Sequence, residues 1–429
     1  MTKDATGGAD GGLWRSEAAW RDNRIASEAI AGLRMIWLFA VVFLAAGGFV
    51  LFIVPGELEQ GNHAALLALV FPLAGLGMTV SAVKKTLEWR RFGRLALVMD
   101  PFPGSLGGDV GGTLDLPLRF DDGLRVKATL ACCRVYKKDT GDGTETREQV
   151  IWDQEGMARA TPTLDGTRLA FRFTPPEELP ESEAKSDDYT RWTLHFCAAM
   201  PGADLDRVFV VPVFGTGGQK ARARLADSRE EMLAAPLPEA PHGLLRLSED
   251  PYGLTLTFPA LRNLSASLAF GLFSAIFVGA SVFLTTAIHW PASTEDDWFW
   301  LLFEYFFALI PLVMSVVFWL FALGLTALTL YMLGNGLEVR VTPEAVVSQR
   351  RIFGISLPAR RLAAGEIRAL DIEVPMRAGP ATKQTKYRDL VAKGPGRRKV
   401  VLADGIRDPV LLDHLRRTIV RAGRLKLPD

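Results

Sequence analysis

The sequence predicts a membrane protein with four transmembrane helices in two hairpins, an antiparallel β-sandwich and a small α+β C-terminal domain. Three observations support this fold class. The 429 residues are 49% hydrophobic and have a mean hydropathy of +0.16, although 23% of them are charged. The apolar residues are concentrated in four blocks, and the stretches between and after these blocks alternate between apolar and polar residues. A purely soluble enzyme or a disordered chain is therefore not expected.

Each of the four apolar blocks is long enough for a transmembrane helix. The blocks are residues 35–54, 64–83, 264–288 and 298–333. Because about 20 helical residues cross the hydrocarbon core of a bilayer, the first three blocks predict one span each. The fourth block is longer and contains Pro311, which can kink a helix. We interpret residues 298–307 as an interfacial lead-in and the rest of that block as the span.

These blocks divide the chain into five parts. They are an N-terminal segment (1–33), a first hairpin (34–84), the β-sandwich (95–262), a second hairpin (264–333) and a basic domain (336–429). The two hairpin turns are acidic, whereas Arg and Lys flank the other ends of the helices. Lys and Arg are retained on the cytoplasmic side. We therefore expect a protein of the inner membrane with both termini and the sandwich in the cytoplasm.

Two features of the spans have functional interpretations. Small residues recur at every fourth position of the third span, at Ser267, Gly271, Ala275 and Gly279. Such a stripe lets helices approach closely in lipid, which predicts either a homodimer interface or, as we favour, packing among the four helices. Glu304 is the one clear carboxylate in an apolar block. A carboxylate at this position predicts one of two roles. It marks an ion path, or, as we favour, its side chain reaches the lipid headgroups near the outer turn.

The middle region has the period-two pattern of strands with one buried face. Apolar residues alternate with polar ones in rows such as 124–130, 169–173 and 192–196, and turn-rich breaks separate these rows. Residues 244–258 have the pattern of a last hairpin of this sandwich. Cys132, Cys133 and Cys197 lie in this region, where a reducing compartment makes disulfides unexpected.

Some short sequence segments of the middle region resemble segments of arrestin-like sandwiches. These are Pro103-Gly104 before Gly111-Gly112-Thr113, the row Phe171-Arg172-Phe173, and Leu179-Pro180-Glu181-Ser182. The resemblance covers about 80 residues and implies a protein-binding sandwich rather than a catalyst. The whole layout resembles a group of uncharacterised bacterial multi-pass membrane proteins with a cytoplasmic β domain between two transmembrane hairpins. That resemblance implies no activity.

The last region predicts a small sheet followed by one helix. Asp408 is the predicted N-cap of that helix, Pro409 lies in its first turn, and Leu411, Leu412, Leu415 and Ile419 form an apolar stripe. With Val341-Thr342-Pro343 and Gly365-Glu366-Ile367 at turns, the region resembles a bacterial pleckstrin-homology-like domain. The resemblance implies a compact domain of one sheet closed by the helix.

The C-terminal region is also strongly basic, with 20 Lys and Arg against 10 Asp and Glu in residues 336–429. The candidate lipid or anion contacts are Arg350, Arg351, Arg360, Arg361, Lys383, Lys386, Arg397, Arg398 and Lys399. Each cation near an anionic leaflet contributes about 1 kcal/mol of attraction. Residues 95–262 have about seven more acidic than basic residues. Specific lipid binding, general adhesion to the bilayer and docking on this acidic sandwich remain open. Nucleic acid is not expected, since aromatic residues are not interleaved.

The sequence contains no motif that indicates catalysis, metal binding or cofactor binding. We find no catalytic constellation, no metal-ligand spacing among the five histidines and no cofactor loop, so no enzyme activity and no cofactor are predicted. The favoured function is a scaffold or sensor that binds an unknown protein partner through the sandwich. The alternatives are a small-solute or ion transporter and an enzyme that modifies membrane lipids.

Overall fold

The computed structural model describes residues 17–20, 22–27, 33–61, 65, 68–139, 143–215, 221–235, 243–286 and 298–425. The chain separates into two units. The first consists of Met1–Leu38, Met78–Pro236 and Met376–Lys386. The second consists of Phe39–Gly77, Leu237–Pro375 and Tyr387–Asp429.

The described residues contain six α-helices, which we number in chain order. They are α1 (Leu33–Glu59), α2 (Val70–Phe92), α3 (Ser228–Ala234), α4 (Leu264–Thr286), α5 (Trp298–Gly334) and α6 (Pro409–Ala422). Three ranges within α1, α4 and α5 are long and apolar enough to cross a membrane, namely Leu33–Glu59, Ala266–Thr286 and Leu309–Gly334.

This count corrects the prediction of four spans. The second predicted span, residues 64–83, falls largely in α2, which begins at Val70 and continues through Lys84, Lys85 and Glu88. The charged second half of α2 lowers its mean hydropathy, so α2 is not one of the membrane candidates. The fourth block also differs from the prediction, because α5 runs unbroken from Trp298 to Gly334 with Pro311 inside it.

Ten strands belong to the first unit. They are β1 (Ile25–Ala26), β2 (Ala96–Met99), β3 (Gly104–Ser105), β4 (Val110–Leu116), β5 (Val126–Asp139), β6 (Thr144–Thr163), β7 (Gly166–Phe173), β8 (Asp188–Ala198), β9 (Leu205–Val211) and β10 (Val213–Phe214). Eight of them form one antiparallel sheet in the order β1-β2-β4-β7-β6-β5-β8-β9. β3 and β10 form a short parallel pair.

The long strand β6 turns this sheet into a sandwich. Residues 144–158 of β6 pair with β5, whereas residues 159–163 pair with β7. The two halves of the sheet face each other across one apolar core, in which the rings of Phe171 on β7 and Phe196 on β8 meet edge to face with centroids 5.5 Å apart. The predicted antiparallel strands of the middle region are thus observed, and β7, for example, alternates between buried and more exposed residues.

The chain before α1 and the chain after α2 meet in the same sheet. β1 pairs antiparallel with β2, through Ile25 opposite Leu97 and Ala26 opposite Ala96. Asn23 exchanges two hydrogen bonds with the backbone of Met99, at 2.9 and 3.0 Å. The indole of Trp20 is buried and donates to the carbonyl of Val210 at 3.0 Å. The two flanks of the first helical pair are therefore held together.

The second unit contains nine strands. They are β11 (Arg246–Asp250), β12 (Gly253–Phe258), β13 (Asn335–Val341), β14 (Ala345–Ile352), β15 (Ile355–Ser356), β16 (Arg360–Ala363), β17 (Ala369–Ala378), β18 (Thr385–Lys393) and β19 (Lys399–Ile406). β11 to β15 form a sheet in chain order, with β16 also paired to β14. β17, β18 and β19 form a second sheet, and the tip of β17 and β18 (376–386) belongs to the first unit.

The hairpin of β11 and β12 corrects the predicted domain boundary. The sequence analysis placed residues 244–258 in the sandwich, but β12 pairs along its length with β13. Leu254, Leu256 and Phe258 are buried in the core of the second unit. Since β12 leads into α4 and α5 leads into β13, both flanks of the second helical pair meet in one sheet. A fragment that begins at residue 336 would lack two strands of this sheet, β11 and β12, so we do not expect residues 336–429 to fold alone.

The predicted C-terminal helix is confirmed. The side chain of Asp408 accepts hydrogen bonds from the backbone N–H groups of Val410 and Leu411, at 2.8 and 3.4 Å, and Pro409 opens the helix. The predicted stripe of leucine and isoleucine is buried in the same core as β12 and β13.

Candidate functional site

Charged or exposed side chains gather at four places in the described residues. These are the end of α2, the outer face of the sandwich, the free edge of β6, and the end of the second unit where α4 and α5 join its sheet. Among the described residues, no three His, Cys, Asp or Glu side chains form a group that could hold a metal ion.

The last turns of α2 are anchored in the sandwich by charge and aromatic packing. Glu88 forms a short hydrogen bond with Arg207 on β9, and the side chains of both are largely buried. Burial raises the pKa of Glu88, although Arg207 opposes this shift. The guanidinium of Arg207 lies 6.0 Å from the ring of Phe92, and Arg91 donates to the carbonyl of Ala203 at 2.9 Å. No local spacing in the sequence relates α2 to β9, so this anchor was not predictable from sequence patterns.

Asp206 is at the centre of a cluster on the outer face of the sandwich. Its Oδ1 lies 2.7 Å from His195 Nε2, and its Oδ2 accepts from Lys383 Nζ at 2.6 Å. Burial opposes the ionisation of Asp206, but the hydrogen bonds of His195 and Lys383 outweigh it and hold its pKa below the usual value. Asp153 on β6 pairs in the same way with Lys386, and with Arg377 at 3.6 Å.

Lys383 and Lys386 are therefore held by carboxylates of the first unit. The side chain of Lys386 is only 12% exposed, so this residue is not available to a lipid headgroup. Both lysines were predicted lipid contacts, because charge density alone does not reveal which cations already have partners.

The free edge of β6 is the most exposed strand segment of the sandwich. We use the name β6 edge for residues 144–151. Residues 144–149 are all exposed, and Ile151 is 44% exposed. These residues pair with β5 on one side, and in the described chain no strand pairs with their other side. An unpaired edge offers backbone N–H and C=O groups to another extended chain.

A network of buried charge joins α4 and α5 to the sheet of the second unit. Asp404 accepts from Arg262 Nη2 at 2.6 Å and from Arg350 Nη2 at 2.9 Å. Arg350 Nη1 also donates to the hydroxyl of Tyr331 at 2.7 Å and to Asn335 Oδ1 at 2.8 Å. Arg350, a predicted lipid contact, is thus occupied within the fold.

The other predicted cations differ in how far they are engaged. Arg351 pairs with Glu338 at 2.8 Å, Lys399 with Glu373 at 3.0 Å and Arg398 with Glu366 at 4.0 Å, all at solvent-exposed positions. Arg360, Arg361 and Arg397 are exposed and form no ion pair with the described residues. Arg351 lies on β14, and Arg360 and Arg361 lie on β16, which pairs with β14.

The small-residue stripe of α4 is divided between environments. Ser267 is buried, and a Cβ on Gly271 would lie 3.4 Å from Thr329 on α5, so these two positions face the α4–α5 contact. Ala275 is exposed and Gly279 is half-buried. Hydroxyl pairs also join the helices, Ser274 to Thr326 at 2.6 Å and Thr285 to Ser315 at 2.7 Å. The side chain of Glu304 lies outside the described residues.

Comparisons with known proteins add little to what these contacts and distances show. No protein-family model and no curated protein matches the chain. Among solved structures, Spo0M, a sporulation control protein from Bacillus subtilis, is similar with a TM-score of 0.21 and 14% sequence identity. The match covers 40% of this chain and 80% of Spo0M. A TM-score of this size carries no argument about fold or function.

Proposed function

We propose that the protein is a scaffold or sensor anchored in a membrane, which binds a protein partner through its β-sandwich. The β6 edge is the observation that carries this proposal. It is the place in the described sandwich where a long strand has a solvent-exposed, unpaired side. An extended segment of a partner can add a strand there, with backbone hydrogen bonds for affinity and alternate side chains for specificity.

The side chains of the β6 edge suggest what such a segment would contain. Arg147 pairs with Glu145 at 3.0 Å, and Glu148 forms a short hydrogen bond with Arg191. Ile151 adds an exposed apolar side chain at one end. Charges on an edge strand oppose non-specific pairing. We therefore propose a partner strand with charges of both signs and an apolar residue opposite Ile151.

The membrane arrangement is part of the same proposal. β1 pairs with β2, so the chain enters α1 and leaves α2 on one side of any membrane that α1 crosses. β12 pairs with β13, which has the same consequence for α4 and α5. Both observations support two returning hairpins. The basic flanks support a cytoplasmic location for the termini and the sandwich, in the inner membrane of a bacterium.

The resemblances belong to this proposal too. The arrestin-like character of the sandwich and the pleckstrin-homology-like character of the C-terminal domain are both compatible with a binding protein. The alternatives, transport of a small solute or ion and modification of membrane lipids, gain no supporting observation from the described residues.

Site-specific photo-crosslinking in intact cells tests the partner site. A photoreactive amino acid at Thr146 or Glu148 should give one discrete protein adduct. The same amino acid at Leu164, an exposed residue of the β6–β7 turn, is the matched control and should not give that adduct. Arg147→Glu should reduce the adduct at Thr146, because it reverses one charge of the edge. Equal adducts at all three positions, or none at the β6 edge, would refute the proposal.

A further inference from the structure

The turn between β14 and β15 carries apolar side chains into solvent. Phe353, Ile355 and Leu357 are 58%, 71% and 37% exposed. Every residue of 353–361 is exposed. Burial of apolar surface is favourable, and an apolar tip that is exposed to water does not gain this stabilisation. Exposed apolar clusters of this kind mark interaction surfaces.

The conformation of this turn also places an aromatic ring where the fold alone favours a small polar residue. Ile352 pairs with Ile355, so Phe353 and Gly354 are the two central residues of the hairpin. Their φ angles are +49° and +82°. A two-residue turn with two positive φ angles favours Asn-Gly, and a bulky residue in the left-handed region is strained. The hairpin retains Phe353 despite this strain.

The tip of the hairpin lies at the end of a membrane-type helix. Phe353 N–H donates to the carbonyl of Gly334, the last residue of α5, at 3.1 Å. The ring of Phe353 lies so close to Gly334 that a Cβ there would be 2.6 Å from it. Leu261, which is 57% exposed, donates from its backbone to Leu333 at 3.0 Å. The apolar tip is therefore continuous with the apolar surface of α5.

Exposed arginines precede and follow this apolar tip in the sequence, but in the sheet only Arg351 lies beside it, since Arg360 is opposite Ser348. Arg351 is the last residue but one of β14, and Arg360 and Arg361 begin β16, which pairs with β14. All three side chains are exposed. Apolar residues next to exposed arginines are typical of segments at the boundary between acyl chains and phosphates.

We infer that the β14–β15 hairpin inserts into the headgroup region of the same bilayer that α5 crosses. Phe353, Ile355 and Leu357 reach the acyl boundary, and Arg351, two residues before Phe353, lies at the level of the lipid phosphates. The occupant of this surface is lipid rather than a protein, because the tip continues the apolar surface of a helix that is itself long enough to span. The inference does not depend on the proposed partner of the sandwich.

Depth-dependent quenching in nanodiscs tests this inference with the full-length protein. An environment-sensitive dye is attached to Ile355→Cys and, as the matched control, to Arg397→Cys on the exposed β18–β19 turn. The unsubstituted chain gives the background of the native cysteines. In nanodiscs with anionic lipid, the dye at 355 should be quenched by headgroup-proximal nitroxide lipid and protected from iodide. The dye at 397 should be quenched by iodide.

A second variant separates membrane contact from folding. Phe353→Asn suits the turn, so the protein should fold with unchanged or higher thermal stability in detergent. In nanodiscs it should lose part of the nitroxide quenching at 355. If the dye at 355 is as accessible to iodide as the dye at 397 in nanodiscs that hold no other protein, the lipid contact is absent and the inference is overturned. Unchanged nitroxide quenching at 355 in Phe353→Asn would contradict the insertion of the Phe353 ring into the bilayer.

Discussion

At the scale of single residues, Arg207 carries a charge that is almost completely buried. Its side chain is 3% exposed, and Glu88 of α2 is its carboxylate partner. Removal of one member of a buried ion pair costs about 3–5 kcal/mol, because the other charge stays buried without compensation.

The first prediction follows from this pair. Arg207→Met should lower the thermal unfolding temperature of the detergent-solubilised protein markedly. The double variant with Glu88→Gln should recover much of that loss. Arg147→Met, which breaks an exposed pair with Glu145, is the control and should change little. A double variant no more stable than Arg207→Met would contradict the idea that the unpaired charge causes the loss.

Asp206 gives a prediction about pH. Its pKa in the folded protein lies below the unfolded value of about 3.9. The ionised form is therefore favoured by folding, and this contribution is present above about pH 4 and lost as the pH falls below it. Unfolding measured from pH 6 to pH 3 should show a stability loss that is smaller in Asp206→Asn. The same pH dependence in both proteins would show that other groups are responsible.

The cysteines give a prediction about reactivity. Burial raises the pKa of the Cys132 thiol to about 12 and that of the Cys133 thiol to about 11. Both side chains are fully buried, although as neighbours on β5 they lie on opposite faces of the sheet, and only Cys132 belongs to the apolar core of the sandwich. Iodoacetamide at neutral pH should leave both unmodified until the protein is denatured, as read by mass spectrometry. A cysteine at Leu164 should react at once. Rapid modification of native Cys132 would contradict the packing of this core.

At the scale of elements, glycines set the distance between α1 and α2. A Cβ on Gly47 would lie 2.6 Å from the Cα of Pro72, whereas a Cβ on its neighbour Gly48 would meet nothing within 4 Å. On the other helix, a Cβ on Gly75 would lie 2.9 Å from the backbone nitrogen of Leu44. The contact of α1 with α2 therefore depends on Gly47 and Gly75 and not on Gly48.

This contact gives a matched pair of variants. Gly47→Ala should separate the helices and destabilise the protein by about 1–3 kcal/mol, the usual cost of overpacking. Gly48→Ala should be neutral or slightly stabilising, since alanine favours the helix. Thermal unfolding in one detergent compares them directly. Equal effects of the two changes would show that α1 and α2 do not pack through Gly47.

The elements also show how far sequence patterns lead. The period-two rows predicted the strands of the sandwich, and the cap at Asp408 predicted the start of α6, because both signals are local. The partner of β12 was not predictable in this way. Alternation shows that Leu254 and Leu256 are buried on one face, but it does not show which strand lies beside them. Since Phe258 pairs with Leu337, 79 positions later in the chain, this pairing depends on the return of the helical pair.

The candidate site was predictable only in part. Exposed Arg360, Arg361 and Arg397 agree with the expected basic surface, whereas Lys383, Lys386 and Arg350 are engaged by Asp206, Asp153 and Asp404. Charge counts cannot distinguish free cations from paired ones. A local signal for the apolar hairpin did exist, since two arginine pairs bracket Ile352-Phe353-Gly354-Ile355 in the sequence.

At the scale of the whole molecule, strand pairing determines how the helices can cross a membrane. The pairs β1–β2 and β12–β13 each join the two flanks of one helical pair. An odd number of crossings within either pair would separate strands that are hydrogen-bonded in one sheet. This argument supports a returning path for α2, although α2 is less apolar than α1, α4 and α5 in the described residues.

We propose as the central point that the sandwich and both termini lie on the cytoplasmic side of the membrane and that the helices return in pairs. Labelling of single engineered cysteines from outside intact cells tests it directly. A membrane-impermeant maleimide should modify Gln60→Cys, in the turn after α1, and Ser293→Cys between α4 and α5, and should modify Leu164→Cys in the sandwich only after the membrane is permeabilised. Labelling of Leu164→Cys in intact cells, with Gln60→Cys protected, would contradict it.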